Sequence, residues 1–363
     1  MIDDLLRVIP PPTYITMPCV GVDISDTSLK YIAFKPSVFD NTARELDMWG
    51  DIDIPSGVVT RGEVMDPKQL VAVLKEFKEK TKAEFVRLSL PEEKAYLFET
   101  TIKNNTPQKE VRSLLEFRLE ENVPIPSRDV YFDYSIMPSS TDSQNADVSV
   151  VAYPKSIIQA YYDTCIEAGL KPVSFEVEAQ AMARAVVPKG AAGSVMLVDF
   201  GKTRTGIGIV HRGSLLYTST IDIGGNQLSQ VLRKILGDDT PEAKLTMIKN
   251  TEGLIRGADS SNIRDALIST VSVVKDEMAT RMQYWHTRTA HDDERRISTI
   301  VLCGGSANLK GFPEYLTETL GIKAVRANVW ENSFSLEETV PEISLRYSFG
   351  YATAIGLALK NIV

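Results

Sequence analysis

Asp23 stands near the end of the run CVGVDI and is followed by Ser25, Thr27, Ser28 and Lys30. Asp199 stands near the end of a second apolar run, VMLVDF from Val195, and is followed by Gly201, Lys202, Thr203, Arg204 and Thr205. A carboxylate beside a turn of small hydroxyls and cationic side chains suits one chemistry. Converging backbone N–H groups and hydroxyls take a phosphate chain, and the carboxylate holds a hydrated divalent cation. Each stretch must then be strand, tight turn, strand. The first carries Val20, Val22 and Ile24, then Leu29, Tyr31 and Ala33; the second carries Val195, Leu197 and Val198, then Ile207, Ile209 and Val210. Singly, either reads equally as an ordinary hairpin with a polar turn. Their recurrence at the head of two long halves points to internal duplication and a two-lobed nucleotide clamp.

A third element follows in order. ISTIVLCGGSANLKGF runs from a buried strand, Ile300 to Leu302, through Gly304, Gly305 and Ser306 into a helix with Leu316 and Leu320. A Gly-Gly turn lets backbone approach a flat base or a ribose closely. YATAIGLAL, from Tyr351, reads as a helix whose Ala352, Ala354, Gly356 and Ala358 allow close packing against another helix.

With these motifs in this order, the chain resembles the actin-like ATPase superfamily and, within it, the FtsA/PilM family. The resemblance spans about Val20 to Leu359 and rests on GVDIS with Lys30, LSLPEEKAYLFETTI, NVPIP, VMLVDFGKTRTGIGIV, IDIGGNQLSQ, VLCGGSANLKGF and YATAIGLAL. It implies an α/β, actin-like (ribonuclease H-like) two-lobed ATPase fold. Subdomain 1A would comprise 1–84, 171–193 and 345–363, and an SHS2-like insert, subdomain 1C, would fill 85–170. Subdomain 2A would comprise 194–224 and 297–344, and subdomain 2B 225–296. The implied cofactors are ATP and Mg. Asp23 and Asp199 would hold Mg through water, while Lys30 and backbone N–H groups meet the phosphates and Thr203 and Thr205 cap them from the opposite lobe. Glu176 or Glu178 would orient the attacking water; each reads equally as a helix-start carboxylate favoured by the dipole. Gly304 and Gly305 would lie against adenosine, with Ser306 and Asn308 nearby. Gly224 and Gly225 match the family's turn or serve backbone geometry alone. Lys249, in EAKLTMIKN, falls at shifted spacing for the lysine that reaches the ribose side. Where the family usually has Gly this chain has Ser25, and where it commonly has a small neutral residue this chain has Asp26. A carboxylate there is unfavourable beside a triphosphate unless it faces away or helps hold the cation.

The implied role is a cytoplasmic ATP-binding scaffold of type IV pilus or related type II secretion assembly. A groove between 1A and 1C, near Val86, Leu88, Leu90, Phe117 and Leu119, several of which must be core, would grip the N-terminal tail of PilN. Through it the scaffold would link an inner-membrane platform to motor ATPases and would meet the membrane only through partners; a homo-oligomer is also open. A small-metabolite kinase on the same superfold is the other class, and the PilM-like insert argues against it. An FtsA-like division protein is nearer, but such proteins tether through a C-terminal amphipathic helix, and this chain stops at Val363.

Composition is compatible and less specific. At 363 residues and 43% hydrophobic the chain can bury two cores, and a net charge of -8 argues against nonspecific nucleic-acid binding. No signal peptide opens it, and no stretch reaches the ~18 uninterrupted apolar residues of a spanning helix. Cys19, Cys165 and Cys303 are scattered in apolar runs and read as reduced thiols; His211, His286 and His291 lack ligand spacing. Helices are expected from Pro67 after Asp66, after Pro107 with Val111, Leu114, Leu115 and Leu119 inward, from Ser156 to Gly169, and over about 262–288. SSTDSQNAD, Ser139 to Asp147, reads as a polar loop, and Leu5, Leu6, Val8 and Ile9 as one apolar turn that caps a lobe or hooks a partner.

Overall fold

The computed structural model describes residues 17–35, 45–137, 144–191, 193–255 and 261–360. The opening apolar turn and residues 139–143 of the polar loop lie outside the described residues. The chain divides into two compact units, Met1–Pro188 with Trp330–Glu342 and Tyr351–Val363, and Lys189–Val329 with Ile343–Gly350.

In the first unit, β1 (Cys19–Ile24), β2 (Ser28–Phe34) and β3 (Leu46–Asp53) form a meander, followed by the small hairpin β4 (Val59–Thr60) and β5 (Glu63–Val64). Helix α1 (Pro67–Thr81) begins where expected: the Asp66 carboxylate accepts the Gln69 N–H at 3.1 Å, and Pro67 sits where a missing N–H costs nothing. It buries Leu70, Leu74 and Phe77 and leads to β6 (Phe85–Leu90). The insert follows as β7 (Tyr96–Lys103), α2 (Gln108–Asn122), β8 (Val130–Ile136), β9 (Asn145–Pro154) and α3 (Lys155–Glu167). Its antiparallel sheet, order β7-β9-β8, is covered by α2, and Val111, Leu115 and Leu119 pack on Phe98, Val148 and Val150 as a separate core. Leu114, expected on that face, is 49% exposed, because a single helix over three strands buries a narrower stripe. Gly169, at φ 76°, stops α3 as expected, its N–H bonding the Ile166 carbonyl. β10 (Lys171–Val177) and α4 (Glu178–Val186) complete the unit's forward run.

The second unit holds β11 (Ser194–Phe200), β12 (Thr205–His211), β13 (Ser214–Ile221), α5 (Gly225–Leu236), α6 (Glu242–Thr251), α7 (Ser261–Arg288), β14 (Ile297–Cys303), α8 (Phe312–Leu320), β15 (Lys323–Arg326) and α9 (Leu345–Ser348). Leu267, Val271, Val274 and Met278 of α7 are buried at the helical spacing the sequence shows. The duplication is visible in topology. The first unit's sheet runs β10-β6-β1-β2-β3 and the second's runs β13-β12-β11-β14-β15. In both, an antiparallel meander is extended by two parallel strands beside the first strand.

The last helix, α10 (Ala352–Leu359), belongs to the first unit and uses its small residues as expected. A Cβ at Gly356 would lie 1.6 Å from the Ala181 carbonyl oxygen, and one at Gly21 would lie 2.2 Å from that of Ala354. Helix α10 therefore touches both α4 and β1 backbone to backbone. Three segments, 189–193, 330–342 and 345–350, depart from the expected boundaries, the first of them belonging to the second unit. Residues 330–342 join the first unit, because the Asn332 amide donates to the Arg184 and Val187 carbonyls at 3.0 and 2.7 Å, satisfying the end of α4. Residues 343–350 join the second, where the Phe349 carbonyl accepts the Gly304 N–H at 2.9 Å.

Candidate functional site

In the first unit the site residues sit on the β1–β2 hairpin. Asp23 and Lys30 face each other across the ladder, and Lys30 in turn faces Asp51 on β3. The Asp23 carboxylate accepts the Ser89 hydroxyl of β6 at 2.8 Å. Burial pushes its pKa up, against the opposing pull of the Lys30 charge and the Ser89 hydrogen bond. A carboxylate held in that condition gains from a cation. The turn is built by Ser25, whose hydroxyl donates to the Ser28 carbonyl at 3.0 Å and accepts the Ser28 N–H at 3.1 Å and the Thr27 N–H at 3.4 Å. Lys30 Nζ donates to the Ser28 hydroxyl at 2.6 Å. Ser25 thus does with a side chain what a glycine does with backbone freedom: it closes a tight turn, and its hydroxyl is committed there.

In the second unit three glycine-bearing loops converge. The Gly201 carbonyl accepts both the Gly225 N–H and the Ser306 hydroxyl at 3.0 Å, and the Lys202 carbonyl accepts the Asn226 N–H at 2.9 Å. The first N–H groups of α5 are therefore spent on the 201–204 turn, fixing it against the helix start. There is no room for side chains at the junctions. A Cβ at Gly224 would meet the backbone of Lys202, Thr203 and Arg204 within 2.7 Å, and one at Gly225 would lie 2.5 Å from the Ser306 hydroxyl. Gly304, at φ 82°, lies under Asp199: its Cβ would be 2.2 Å from that carboxylate. Gly304 thus packs against Asp199 and Phe200 of the chain itself, whereas a Cβ at Gly305 would meet nothing within 4 Å.

Asn308 donates to the Arg346 carbonyl at 2.8 Å and to that of Gly305 at 3.1 Å, holding the third loop. Lys249 reaches this cluster despite its shifted spacing. Its ammonium is buried and donates to the Ser229 hydroxyl at 2.8 Å, with the Gly225 carbonyl and Glu242 each at 3.4 Å. Burial lowers its pKa, opposed by Glu242. For Glu242, burial acts upward but is outweighed by the hydrogen bonds and charges of Ser229, Lys249 and Arg233, leaving the carboxyl below its ordinary value.

Two expectations are corrected and a third is narrowed. The Thr205 side chain is fully buried and its hydroxyl donates to the Ile223 carbonyl at 2.6 Å, so it ties β12 to the segment before α5 rather than capping phosphate. Glu176 is clasped by the Arg184 guanidinium, which also donates to the Gly356 carbonyl at 2.8 Å, with Lys360 3.7 Å away. Both carboxylate oxygens are committed to the guanidinium, and Glu176 serves the α4–α10 junction. Of the five expected groove residues, Val86, Leu88, Leu90 and Leu119 are core, and Phe117 alone is exposed, at 68%. Ser89, Ser229 and Glu242 were missed. Ser89 had a signal, a polar residue in the apolar strand FVRLSL. Ser229 and Glu242 had none, since they meet through helix packing.

Among the described residues no group of three or more His, Cys, Asp or Glu side chains could hold a metal, so a cation here would take most of its ligands from phosphate and water. Cys303 lies against Asp199 with its thiol pKa pushed well up by burial and then by that charge, which makes it inert.

A family model described as type IV pilus assembly protein PilM matches residues 21–362. Among solved structures, the chain is similar to a PilM–PilN type IV pilus biogenesis complex at 20% identity and a TM-score of 0.75, covering 95% of this chain and 98% of that one. It is similar to ethanolamine utilization protein EutJ from Carboxydothermus hydrogenoformans at 19% identity and a TM-score of 0.52, covering 94% and 89%. It is similar to MreB5 of Spiroplasma citri bound to ADP at 14% identity and a TM-score of 0.53, covering 86% and 92%. These likenesses show the actin-like ATPase fold.

Proposed function

The chain belongs to the PilM family of type IV pilus assembly proteins, and from that premise we propose that it is an ATP-binding scaffold that holds the N-terminal tail of a PilN-like partner. The observation that carries nucleotide binding is the convergence of three loops around Gly201, Gly225 and Gly304, with Asp199 and buried Lys249 beside them. The residues fit the group. Gly201, Gly224, Gly225 and Gly304 let the three loops pack this closely, Gly305 has open space at its Cβ position, and the turn carries Lys202, Thr203 and Arg204. Asp23 and Asp199 would hold Mg through water, and the cation would supply charge neutralisation on the phosphates. Lys30 would meet the phosphate chain, Gly304, Gly305 and Ser306 the adenosine, and Lys249 the ribose side. Of the two candidate bases we retain Glu178, which starts α4. Rapid hydrolysis forms no part of the reading.

For the partner, the related solved complex pairs PilM with PilN. Leu114 and Phe117 of α2 give the insert exposed apolar side chains that an apolar tail segment would cover. No described helix is long and apolar enough to cross a membrane, which suits attachment to an inner-membrane platform and its motors through such a partner. The test is a thermal melt with Mg–ATP and, separately, with a synthetic PilN tail peptide. Ligand at a hundred times its Kd stabilises by about 2.7 kcal/mol, so both should raise the melting temperature by several degrees. A shift with peptide alone removes nucleotide from the reading; no shift with either removes both. Asp199→Ala should weaken Mg–ATP binding about tenfold or more while leaving the fold intact, and unchanged affinity by calorimetry takes Asp199 out of the site.

A further inference from the structure

Asp26 occupies the tip of the first hairpin, where a carboxylate beside a phosphate chain would be repelled. It is turned to a different task. One oxygen accepts the Arg61 N–H and the other the Gly62 N–H, each at 3.3 Å. These two residues make the turn between β4 and β5, both left-handed, at φ 50° and 69°. In a two-residue turn of that kind neither central N–H belongs to the ladder, and both can converge on one anion. A carboxylate supplies two oxygens and a full charge for them; a small hydroxyl supplies one acceptor atom.

From Gly62 the contacts continue into the root of the insert. Its carbonyl accepts the Tyr161 hydroxyl of α3 at 3.0 Å. A Cβ on Gly62 would lie 2.0 Å from that of Pro91, the residue at which the chain leaves β6 for the insert. The Pro91 carbonyl accepts the Tyr153 hydroxyl at 3.1 Å, and Lys94 pairs with Glu63. A second line starts from the same hairpin: Asp23 is bonded to Ser89, two residues before Pro91. Tyr153 and Tyr161 are buried, and burial raises both hydroxyl pKa values, followed by the charge of Glu178, so both remain donors at neutral pH.

We propose that Asp26 and Tyr161 are positioning residues that clamp the 61–62 turn from two sides, so that the hairpin facing the phosphates and the root of the insert move as one body. A ligand at either end is then linked to the other, by a factor of about fivefold or more in affinity. The proposal rests on the nucleotide reading above for its ligand, but the clamp itself can be tested without one.

The experiment uses the full chain with Tyr161→Phe, which removes one hydroxyl, and Asp26→Ala. Amide exchange is followed at residues 23–30 and 59–64, and Mg–ATP affinity is measured by calorimetry. Each variant should speed exchange in both segments and weaken Mg–ATP about fivefold, and the double variant should be no worse than the weaker-binding single, because both act through one turn. Thr81→Val, which removes a hydroxyl bonded to the Phe77 carbonyl in the same unit, should leave exchange at 23–30 unchanged and so separates the clamp from general loosening. Unchanged exchange at 23–30 in Tyr161→Phe overturns the proposal, as do strictly additive losses in the double variant. If the unaltered protein takes up no Mg–ATP, the nucleotide reading fails, and the exchange measurements alone uphold or overturn the clamp.

Discussion

Replacing Gly304 with alanine asks whether the third loop is closed on Asp199 as tightly as the structure has it. The new Cβ would lie 2.2 Å from the Asp199 carboxylate, 2.5 Å from the Phe200 carbonyl oxygen and 2.7 Å from its carbon. The carboxylate can swing aside; the backbone of β11, paired on both edges, cannot. Overpacking of this kind costs about 1–3 kcal/mol. At φ 82° and ψ 160° Gly304 also lies in a backbone region essentially reserved for glycine, which adds about 1–3 kcal/mol for any residue bearing a Cβ. Gly321→Ala supplies the milder backbone reference, since Gly321 lies in the left-handed helical region at φ 70° and ψ 15° with open space around its Cβ position, and costs about 1–2 kcal/mol. The two variants should therefore differ by about 1–3 kcal/mol, and at the usual ~1–3 kcal/mol per molar in urea their unfolding midpoints should separate by about 1 M. Buried Trp285 reports on the second unit once Trp49 and Trp330 are replaced by Phe. Equal midpoints would refute the close approach. Because the nearest atom is the movable Asp199 carboxylate, Gly304→Ala should also abolish the rise in melting temperature with Mg–ATP, and Gly321→Ala should retain it.

In Asp23→Asn the sign follows from a folded pKa raised above 3.8: the contribution of this group is complete below that value and is lost as pH rises through the folded pKa. The nucleotide-free variant should therefore melt higher than the parent at neutral pH, with the gap closing on acidification below 3.8 and the response to Mg–ATP reduced. Glu242 has the opposite sign, a lowered folded pKa whose stabilisation holds above 4.5 and is lost as pH falls through the folded value, so the melting deficit of Glu242→Gln should be present at neutral pH and vanish in acid. Thr205→Val removes the hydroxyl that the half-buried Ile223 carbonyl accepts and should cost about 1 kcal/mol in urea unfolding, whereas Thr205→Ser should recover most of it; equal losses would show that the hydroxyl does not tie the two segments.

The two hairpins were legible because alternation of β-branched residues up to an aspartate is a local pattern, and strand pairing over such short turns follows from it. The start of α1 at Asp66–Pro67 and the stop at Gly169 were legible for the same reason. So was the small-residue helix, since Ala352, Ala354, Gly356 and Ala358 have no other use at that spacing. What escaped was direction and partnership across long separations. Thr205 looks like any turn hydroxyl until Ile223 is brought beneath it, and Glu176 looks like a helix-start acid until Arg184 and α10 arrive. The apolar residues Val86, Leu88 and Leu90 read equally as groove or core, because only the covering helices decide which. Asp26 looked like a misfit at a phosphate turn; the turn at Arg61 and Gly62 that absorbs it is distant in sequence and has no motif.

The contact of α10 with β1 and α4 also orders events during synthesis. Gly21 emerges early, yet the backbone that covers it, around Ala354 and Ala358, emerges near the end of the chain. The sheet of the first unit is thus left with an open face while residues 189–329 of the second are made, and its closure is a long-range step that cannot begin until Gly356 can meet Ala181. Contacts so distant in sequence close slowly. Most of the second unit can therefore be folded before the first is sealed, the reverse of the usual N-terminal-first order. A chain cut before Ala352 would retain nearly all of the second core while exposing the apolar face that α10 covers, which makes the tail the point at which the first unit commits to its fold.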